Sequence, residues 1–469
     1  MSDIKFGTDG WRAIIAEDFT TRNVARVAEG TALWIKANKM ERAGVVVGHD
    51  CRFAGELFAE TVVKILAHHG IRSYLAKGFV STPMVSLGAL HHKAALGIII
   101  TASHNPPSYN GFKLKGAYGG PLLPEQVQEI EDLIPAEPGI NLKSVSIDSL
   151  MTSGMVEISP LEDMYVAHAE KHFDLEAIRN SGLQFAYDAM YGAGQQVMRR
   201  LLPEITFLHC EHNPGFDGQA PEPIHKNLME FSEMIAMSDN IDCGLATDGD
   251  ADRLGLFDNK GNFVDSHHII LLLIHYLVKY KQMNGKVCTA FSTTVKIKNM
   301  CRHYNLPLEV VKIGFKYICS IMVKEDVLLG GEESGGIAIK GHIPERDGIW
   351  MGLTIWEFMA KSGKSLEELI AEVYAITGEF WFERNDLHLT EDQKNAIVAK
   401  CKSGGFLSFG ENRVARMEDL DGWKYFFNDE EWLMIRASGT EPVLRTYAES
   451  KNKARALELL EACKKELGV

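Results

Sequence analysis

Short apolar runs that end abruptly in polar turns recur along this chain. The clearest covers residues 97–100 and leads directly into the polar turn 101–107. A short apolar run bounded by turn residues predicts a fully buried strand. Open parallel sheets bind their ligands just beyond the carboxyl ends of the strands. We therefore expect Ser103 and His104 to lie at a binding site, although an ordinary Ser-Asn-Pro turn remains an alternative.

Two further apolar runs end in loops with different chemistry. The run 241–246 precedes a loop of alternating carboxylates, and the run 327–329 precedes a glycine-flanked loop with the pattern Glu-x-Ser. The charged and hydroxyl residues of these two loops include Asp248, Asp250, Asp252, Arg253, Glu332 and Ser334. Together with the hydroxyl of the 101–107 turn, these loops favour a functional site over a set of unrelated turns.

Strand and helix patterns alternate through most of the chain. Residues 41–115 read as strand, helix, strand, helix and strand, and a similar order returns in 185–248 and 287–332. Such alternation with short connections predicts βαβ units and a parallel sheet. The pattern recurs at about 90–145 residues, which is too long for a solenoid. We therefore expect three similar domains, each with one polar loop at the end of its third strand.

The C-terminal part has a different pattern. Strands at 381–384, 432–436 and 444–449 precede a final amphipathic helix at 454–467, which is typical of an α+β domain. The predicted fold class is α/β, with three similar mixed-sheet αβ domains and a C-terminal α+β domain. The predicted domains are 1–160, 161–260, 261–375 and 376–469.

A loop between two of the late strands has the composition of an anion cradle. It carries Arg436, the hydroxyl residues Ser438 and Thr440, and between them Gly439. A glycine lets backbone N–H groups approach a phosphate closely. A simple β-turn explains the same residues, and both interpretations stay open.

Composition excludes several classes of protein. The chain has 469 residues, 46% hydrophobic and 24% charged, as in an ordinary soluble globular protein. Its length suggests about three or four domains. No apolar run approaches the roughly 20 residues that span a bilayer, and the N-terminus lacks an apolar signal core. Eight scattered cysteines without a CxxC pair are typical of reduced thiols in a cytoplasmic protein.

Net charge limits the expected partners. A formal net charge of −14 argues against non-specific binding to nucleic acid or to membranes. An anionic substrate must then be captured by local Arg and Lys residues, against the average field of the protein. Arg12 in the glycine-rich polar loop 7–12, Lys113 and Arg253 are the candidates for this local charge.

The three alternating aspartates suit a hard cation. Asp248, Asp250 and Asp252 stand at i, i+2 and i+4 around a glycine, so they can turn three carboxylates toward one ion. Carboxylates and waters suit Mg²⁺ far better than a soft metal. The loop is not an EF-hand, because Asn259 stands where the twelfth position requires a glutamate. A solvated acidic turn is the simpler alternative, which the adjacent buried strand disfavours.

Ser103 lacks the surroundings of a hydrolase nucleophile. The sequence Thr-Ala-Ser-His-Asn has no Gly-x-Ser-x-Gly frame. Its neighbours instead indicate a hydroxyl that carries a phosphoryl group facing a metal. Lys113 could act there as an acid or base, for which burial or nearby cations must lower its pKa. Phosphoryl transfer otherwise needs positioning and positive charge around the moving group.

Four motifs together resemble the alpha-D-phosphohexomutase family. They are Thr-Ala-Ser-His-Asn-Pro at 101–106, Asp-Gly-Asp-Ala-Asp-Arg at 248–253, Gly-Glu-Glu-Ser-Gly at 331–335 and Arg-Ala-Ser-Gly-Thr-Glu-Pro at 436–442. Each motif alone is only suggestive, but the four stand in the family's order and the resemblance covers essentially the whole chain. It implies four domains around a central active-site cleft.

The resemblance also implies a role for each motif. Ser103 carries a phosphoryl group in the resting enzyme, and Mg²⁺ is held by this phosphate with Asp248, Asp250 and Asp252. Arg12 and Lys113 lie near the reacting hydroxyl, with His104 beside Ser103. The residues implied to bind substrate are Arg253, Glu332, Ser334, Arg436, Ser438, Gly439, Thr440 and Arg445. Among these, Glu332 and Ser334 bind sugar hydroxyls, and the last five hold the phosphate that is not transferred.

The reaction implied by the resemblance interconverts hexose phosphates. The phosphoserine gives its phosphoryl group to the sugar phosphate and forms a hexose 1,6-bisphosphate, which also acts as an activator. The bisphosphate turns by half a rotation, and its other phosphate returns to the serine. The implied partner is a small phosphosugar, with no nucleic acid or membrane, and the chain is expected as a monomer or weak homodimer.

The preferred hexose is predicted from residues around the sugar loop. The sequence Glu-Glu-Ser at 332–334 resembles the phosphoglucomutases, which favours glucose. Some bacterial phosphomannomutase/phosphoglucomutases carry histidines where this chain has Gly336 and Phe315, so Lys316 is the candidate for a substituted cationic contact. A phosphomannomutase or a dual-specificity enzyme is the alternative, and a phosphoglucosamine mutase fits less well. A non-catalytic phosphosugar-binding protein and a metal-dependent phosphatase are the other classes.

Overall fold

The chain folds into two compact units. The computed structural model describes residues 4–238, 240–437 and 443–469. One unit comprises Met1–Lys286 with Gly314–Leu369, and the other comprises Val287–Ile313 with Ile370–Val469. Both are built from β-sheets flanked by helices, so the predicted α/β class is confirmed.

The first sheet has six strands in the order β1-β5-β4-β2-β3-β6. The strands are β1 (Trp11–Ile14), β2 (Val45–His49), β3 (Ser73–Ala76), β4 (Leu96–Ile100), β5 (Tyr109–Gly116) and β6 (Val156–Ser159). The helices are α1 (Thr21–Ala37), α2 (Gly55–His68), α3 (Thr82–His92), α4 (Pro124–Asp132) and α5 (Ile147–Thr152). Every residue of β4 is buried, as its continuous apolar sequence predicted.

This first sheet is mixed, as the predicted fold class states, although strand–helix alternation taken alone predicted parallel βαβ units. β2 pairs in parallel with β3 and β4, but β5 runs antiparallel to β4 and β1. Parallel neighbours need a crossover of about a dozen residues or more, and only residues 101–108 separate β4 from β5. Ser103 therefore lies in the turn that leads into the strand bearing Lys113. Arg12 is not in a polar loop as predicted, because β1 pairs with β5 and places it opposite Gly111.

The second sheet has five strands in the order β11-β10-β9-β7-β8. The strands are β7 (Phe185–Asp188), β8 (Thr206–Leu208), β9 (Cys243–Thr247), β10 (Leu254–Asp258) and β11 (Phe263–Val264). The helices are α6 (Leu161–His172), α7 (Leu175–Arg179), α8 (Gln195–Leu201) and α9 (Met229–Ala236). β7 pairs in parallel with β8 and β9, whereas β9 and β10 form an antiparallel hairpin. The turn of this hairpin, residues 248–253, carries the three aspartates.

The third αβ segment contributes to both compact units. Its strands are β12 (Lys286–Ala290), β13 (Leu308–Val311), β14 (Val327–Gly331) and β15 (Ile337–Ile339). Its helices are α10 (Ser266–His275), α11 (Lys296–His303), α12 (Phe315–Met322), α13 (Gly348–Ser362) and α14 (Leu366–Thr377). β12 is parallel to β13, and β14 is antiparallel to β15. The turn between β14 and β15 carries Glu332 and Ser334.

The C-terminal segment has a five-stranded antiparallel sheet in the order β16-β22-β21-β20-β19 and a separate pair, β17-β18. The strands are β16 (Trp381–His388), β17 (Ser408–Phe409), β18 (Asn412–Arg413), β19 (Arg416–Glu418), β20 (Trp423–Phe426), β21 (Trp432–Ala437) and β22 (Val443–Ser450). The helices α15 (Glu391–Lys402) and α16 (Lys453–Leu467) contribute to its core, which includes Ile397, Leu433 and Leu459. This is the predicted α+β arrangement.

The helices and the cysteines bear on two further expectations. Within the described ranges, no helix has both the length and the apolar character that crossing a membrane requires. All eight cysteines are buried free thiols, as their scattered spacing predicted. The four domain boundaries and the central cleft stay predictions.

Candidate active site

The loop after β4 holds Ser103 in a strained and buried position. Ser103 has a φ of +53°, a left-handed conformation that non-glycine residues rarely adopt. Its backbone N–H donates to Thr101 Oγ1 over 2.9 Å, and its Oγ donates to Asp248 Oδ2 over 2.7 Å. The predicted hydroxyl and the predicted metal loop are therefore in direct contact, although they are 145 positions apart in the chain.

Arg52 holds the loop after β4 through hydrogen bonds to its backbone. The sequence did not single this arginine out for the site. Its Nη2 donates to the carbonyl oxygens of Ser103 and Asn105, each over 2.6 Å. Its Nη1 donates to two more loop carbonyl oxygens, over 2.8 and 3.0 Å. Asp50 lies 3.4 Å from the Arg52 Nε and accepts the hydroxyl of Thr101. Burial raises the pKa of Asp50 to about 6, against the opposing charge of Arg52.

The three aspartates converge as predicted. One carboxylate oxygen from each of Asp248, Asp250 and Asp252 lies within 4.8 Å of the others, and all three residues are buried. Asp248 Oδ1 accepts from the backbone N–H groups of Asp252 and Arg253, over 2.9 and 3.0 Å. Burial, followed by the charges of the other two aspartates, raises the pKa of Asp248 well above its ordinary value. A divalent cation would relieve this repulsion.

The unpaired oxygens of the cluster provide a test of the metal assignment. Asp250 Oδ1 and Asp252 Oδ1 are buried, and neither has a hydrogen-bond partner among the described residues. A buried carboxylate oxygen without a partner is unfavourable unless a cation or water satisfies it. Oxygen donors with high charge density are those that Mg²⁺ prefers. The residues present therefore fit the expected ion.

Lys113 reaches the same cluster from β5. Its Nζ lies 2.7 Å from Asp250 Oδ2, 3.0 Å from Asp252 Oδ2 and 2.9 Å from Asp9 Oδ2. Burial alone would lower the pKa of Lys113, but the three carboxylates together raise it above its ordinary value. This arrangement stabilises the ammonium form, which is opposite to the lowered pKa expected for an acid or base. Lys113 thus places a positive charge among these carboxylates.

Two further charged residues at the cluster were not predicted. Arg346 is buried, and its Nη2 lies 2.8 Å from Asp252 Oδ2 and also contacts Asp9. Asp9 thereby joins Arg346 to Lys113. Asp9 stands in the glycine-rich loop that the sequence had marked only for Arg12. The short apolar run 337–339 ends several residues before Arg346, and the polar segment between them carried no motif that marked a site.

The remaining cationic candidates surround Ser103. Arg12 Nη1 donates to Asn105 Oδ1 over 2.6 Å, and Arg253 Nε lies 3.9 Å from Asp252 Oδ1. His104 Nδ1 is 3.3 Å from Ser103 Oγ. Burial, with the positive charges of Arg253 and Arg12, lowers the pKa of His104 well below its ordinary value.

The sugar loop predicted at 332–336 lies beside the metal loop. Gly335 O accepts from Leu254 N over 3.3 Å, and Arg253 and Gly336 form an isolated antiparallel bridge. Gly335 has a φ of +90°, and a Cβ there would lie 2.7 Å from Leu254 O, so only glycine fits this contact. The motif glycine thus brings Glu332 and Ser334 toward the aspartates.

Within the sugar loop, Glu332 is held by burial and by a hydrogen bond to the backbone. It is buried, and its Oε1 accepts from Gly314 N over 2.8 Å. Burial raises the pKa of Glu332 to about 7. Ser334 is half-buried. Lys316 stands in the first turn of α12, with Nζ 5.7 Å from the centre of the Tyr317 ring.

The predicted phosphate loop belongs to the other compact unit. Arg436 and Arg445 are cross-strand partners at the end of the β21–β22 pair. Arg436 Nε lies 3.3 Å from Asp421 Oδ1, and Arg445 Nε lies 4.0 Å from Asp386 Oδ2. Two guanidinium groups on paired positions repel each other, so an anion would be favoured beside them. The predicted residues Ser438, Gly439 and Thr440 lie outside the described residues.

Comparison with protein families gives four matches in chain order. The matching models carry the descriptions phosphoglucomutase/phosphomannomutase alpha/beta/alpha domains I, II and III and C-terminal domain. They match residues 3–139, 163–261, 265–376 and 390–466, respectively.

Individual relatives are similar over nearly their whole length. A Thermococcus kodakarensis protein named phosphoglucomutase/phosphomannomutase is 30% identical over 460 residues, covering 97% of this chain and 96% of that protein. A Sulfurisphaera tokodaii phosphoglucosamine/phosphogalactosamine mutase is 28% identical over 465 residues, covering 98% of each. A crystal structure from Thermus thermophilus, described as a "putative phosphomannomutase", is 33% identical, with 100% of both chains covered and a TM-score of 0.87.

Proposed function

Because this chain belongs to the phosphoglucomutase/phosphomannomutase family of the alpha-D-phosphohexomutases, we propose that it interconverts glucose 1-phosphate and glucose 6-phosphate. The coarser activity, that of an isomerase which moves a phosphoryl group within a phosphosugar, follows from the family. The choice of glucose rests on the Glu-Glu-Ser sequence at 332–334. The relatives include enzymes named for mannose and glucosamine phosphates, so mannose is the second candidate.

One contact carries the proposed mechanism. Ser103 Oγ lies 2.7 Å from Asp248 Oδ2, in a cluster where two buried carboxylate oxygens lack partners among the described residues. A hydroxyl at this position can carry a phosphoryl group beside a divalent cation. An ordinary turn serine would not need a buried acidic cluster against its Oγ. We therefore assign Ser103 as the phosphoryl carrier.

The metal would be held by Asp248, Asp250, Asp252 and the phosphate on Ser103. Mg²⁺ bound there would neutralise part of the negative charge on the phosphoryl group. Lys113, Arg12 and Arg253 place further positive charge around it, which matters because the chain as a whole carries a net charge of −14.

The proposed phosphoryl transfer consists of two symmetrical half-reactions. The sugar hydroxyl attacks phosphorus, the bond from phosphorus to Ser103 Oγ breaks, and the proton lost by the sugar hydroxyl is balanced by the proton gained by the released Ser103 Oγ. The first half yields glucose 1,6-bisphosphate and a free serine. After the bisphosphate turns around, Ser103 Oγ takes its other phosphoryl group and the sugar oxygen regains a proton.

The sugar and the distal phosphate need separate contacts in both halves. Glu332 and Ser334 are proposed to bind sugar hydroxyls, with Lys316 as a nearby cationic contact. The distal phosphate is assigned to Arg436, Ser438, Gly439, Thr440 and Arg445. A metal-dependent phosphatase would have little need of such a second phosphate site, and a non-catalytic binding protein would not need Ser103 beside the aspartates.

The test compares kcat/KM for the 1-phosphates of glucose, mannose and glucosamine, each with and without glucose 1,6-bisphosphate. We expect the glucose substrate to give the highest value. A higher value for mannose or glucosamine contradicts the proposed hexose but keeps the mutase. Release of inorganic phosphate without sugar phosphate isomerisation contradicts the mutase itself. We also propose a cytoplasmic monomer or weak homodimer, which size-exclusion chromatography with light scattering and cell fractionation test.

A further inference from the structure

The second αβ segment contains a cavity that the proposed reaction does not use. It has a volume of about 150 Å³ and lies beyond the carboxyl ends of β7 and β8. This is the edge at which open α/β sheets bind ligands. A cavity of about 150 Å³ has room for a single six-membered ring. Its outer wall is the loop 216–221 together with the start of α9.

The backbone around this cavity is unusually strained. Five of its lining residues have a left-handed φ, between +46° and +58°: Met190, Tyr191, His209, Phe216 and Asp217. Non-glycine residues in this conformation cluster at ligand-binding sites, where the surrounding structure maintains the strain for function. This concentration around one cavity distinguishes it from an accidental packing gap.

A fixed histidine directs polar chemistry at the cavity. Both oxygens of the buried Asp188 lie 3.1 Å from His209 Nδ1, which sets the orientation of the imidazole. Its Nε2 is 3.5 Å from Glu230 Oε2, which is too long for a good hydrogen bond. A ligand hydroxyl could donate to either group. Gln219 and Asn227 also line the cavity. Their amide N–H groups donate to backbone carbonyl oxygens, and their amide oxygens add hydrogen-bond acceptors.

The other walls suit an uncharged ring. Phe216, Leu228 and Phe231 are buried and offer apolar surface to a ring face. Carboxylates outnumber ammonium groups, since the lining contains Asp188, Asp217 and Glu230 but only Lys226. This balance disfavours a phosphate or carboxylate ligand.

We propose that this cavity binds an uncharged monosaccharide, separately from the phosphosugar at Ser103. Such a ligand has hydroxyl groups at its edge and an apolar ring face. The hydroxyl groups would contact the polar side chains of the cavity, and the ring face would contact its apolar side chains. The binding itself does not depend on the mutase reaction, since every residue that lines the cavity belongs to the second αβ segment.

Phe216 connects the cavity to the loops of the candidate active site. Its ring centre lies 5.0 Å from the Arg52 guanidinium carbon, and Arg52 holds the Ser103 loop. The loop 216–221 also packs closely against the metal loop. A Cβ added to Gly249, which stands between Asp248 and Asp250, would lie 3.0 Å from Pro221 Cγ. A sugar that orders the loop 216–221 should therefore also slow hydrogen exchange in the Ser103 loop.

The binding test uses the full-length chain with glucose and mannose as probes. Ser103→Ala protein, with and without saturating glucose 1-phosphate, is titrated by calorimetry and by saturation-transfer NMR. We expect saturable binding of at least one hexose. Gluconate, an open-chain carboxylate, should bind at least about tenfold more weakly than the hexose, on the scale of one unfavourable contact to a charged group. Displacement of the hexose by glucose 1-phosphate, or equal binding of gluconate, overturns the proposal.

Two substitutions on one helix locate the site. Glu230→Ala removes a rim carboxylate that is 72% exposed, so folding is not at risk. It should weaken hexose binding by about tenfold, the scale of a lost hydrogen bond to a charged group. Glu233→Ala changes an exposed glutamate on α9 that does not line the cavity, and it should have no effect. Equal effects of the two substitutions, or none from either, overturn the assignment. So does hydrogen exchange in 101–105 that is unchanged by saturating hexose.

Discussion

Arg52 and Ser103 are joined by a 2.6 Å hydrogen bond from the Nη2 of a buried guanidinium to the serine carbonyl oxygen. The same side chain donates to the carbonyl oxygens of Asn105, Pro106 and Tyr109. A planar guanidinium presents its donors at fixed angles, whereas an ammonium is a single point charge. Arg52 therefore determines the backbone path that presents the Ser103 hydroxyl to Asp248.

Arg52→Lys retains the charge beside Asp50 but loses most of these donors. We expect kcat/KM of the mutase reaction to fall by about 10²-fold, the scale of a slightly misplaced reacting group. The melting temperature should fall as well, because buried carbonyls lose their partners. As a control, Arg22→Lys alters an exposed pair with Glu137 and should change neither quantity. Wild-type kinetics in Arg52→Lys would show that the four hydrogen bonds do not position the serine.

Asp250→Asn should abolish mutase activity while the circular dichroism spectrum stays that of the folded protein. One of its oxygens is buried without a partner among the described residues, and losing the negative charge weakens any hard cation there. Calorimetric titration with Mg²⁺ should show weaker binding in the same variant. Asp163→Asn, at an exposed carboxylate paired with Arg200, is the matched control. Full activity of Asp250→Asn, or of wild-type protein in excess chelator, excludes the metal site.

Purified protein should carry a phosphate on Ser103 in part of the population. Peptide mass spectrometry would detect it as added mass on the peptide that contains the serine. Dephosphorylated protein should be nearly inert until glucose 1,6-bisphosphate is added, because a monophosphate cannot phosphorylate the serine and remain a substrate.

Ser103→Ala should lose turnover by many orders of magnitude and still bind substrate through the other contacts. A phosphatase that uses metal-bound water would continue to hydrolyse without this hydroxyl. Near-normal mutase activity in Ser103→Ala would refute the phosphoryl-carrier mechanism.

Glu332→Gln and Ser334→Ala should each reduce kcat/KM by about 10²-fold, the scale of a lost polar contact in a buried site. Both orientations of the bisphosphate use the same sugar contacts, so the forward and reverse reactions should suffer alike. Coupled assays in the two directions measure this. A loss confined to one direction beyond what the overall equilibrium constant permits contradicts the shared contacts.

The raised pKa of Glu332 predicts a stability effect with a definite sign. Burial shifts this pKa from 4.5 to about 7, so between these values the folded chain keeps a proton that the unfolded chain has lost. The contribution to the free energy of unfolding is therefore fully present below the unfolded pKa and is lost as pH rises through about 7. Glu332→Gln cannot titrate. The melting temperature of wild type, relative to that of this variant, should fall between about pH 5 and pH 8. A pH-independent difference would contradict the shift.

The local pattern of the sequence was enough to locate the main polar loops. Continuous apolar runs predicted buried strands such as β4 and β9, because a strand covered on both faces has no polar positions. The aspartates at 248, 250 and 252 were expected to converge, since they alternate around a glycine within one short turn. These features depend on neighbours in the chain, so sequence alone determined them.

The tertiary structure decided which distant groups meet these loops. Arg346 contacts Asp252, and Arg52 contacts the Ser103 carbonyl oxygen. The local hydrophobic periodicity of the sequence does not indicate these long-range contacts. The antiparallel direction of β5 placed Lys113 among carboxylates from two other segments. Its pKa is therefore raised rather than lowered, because electrostatic energy depends on distance and burial in three dimensions. The number of residues that separates two groups in the sequence gives neither their distance in space nor their burial.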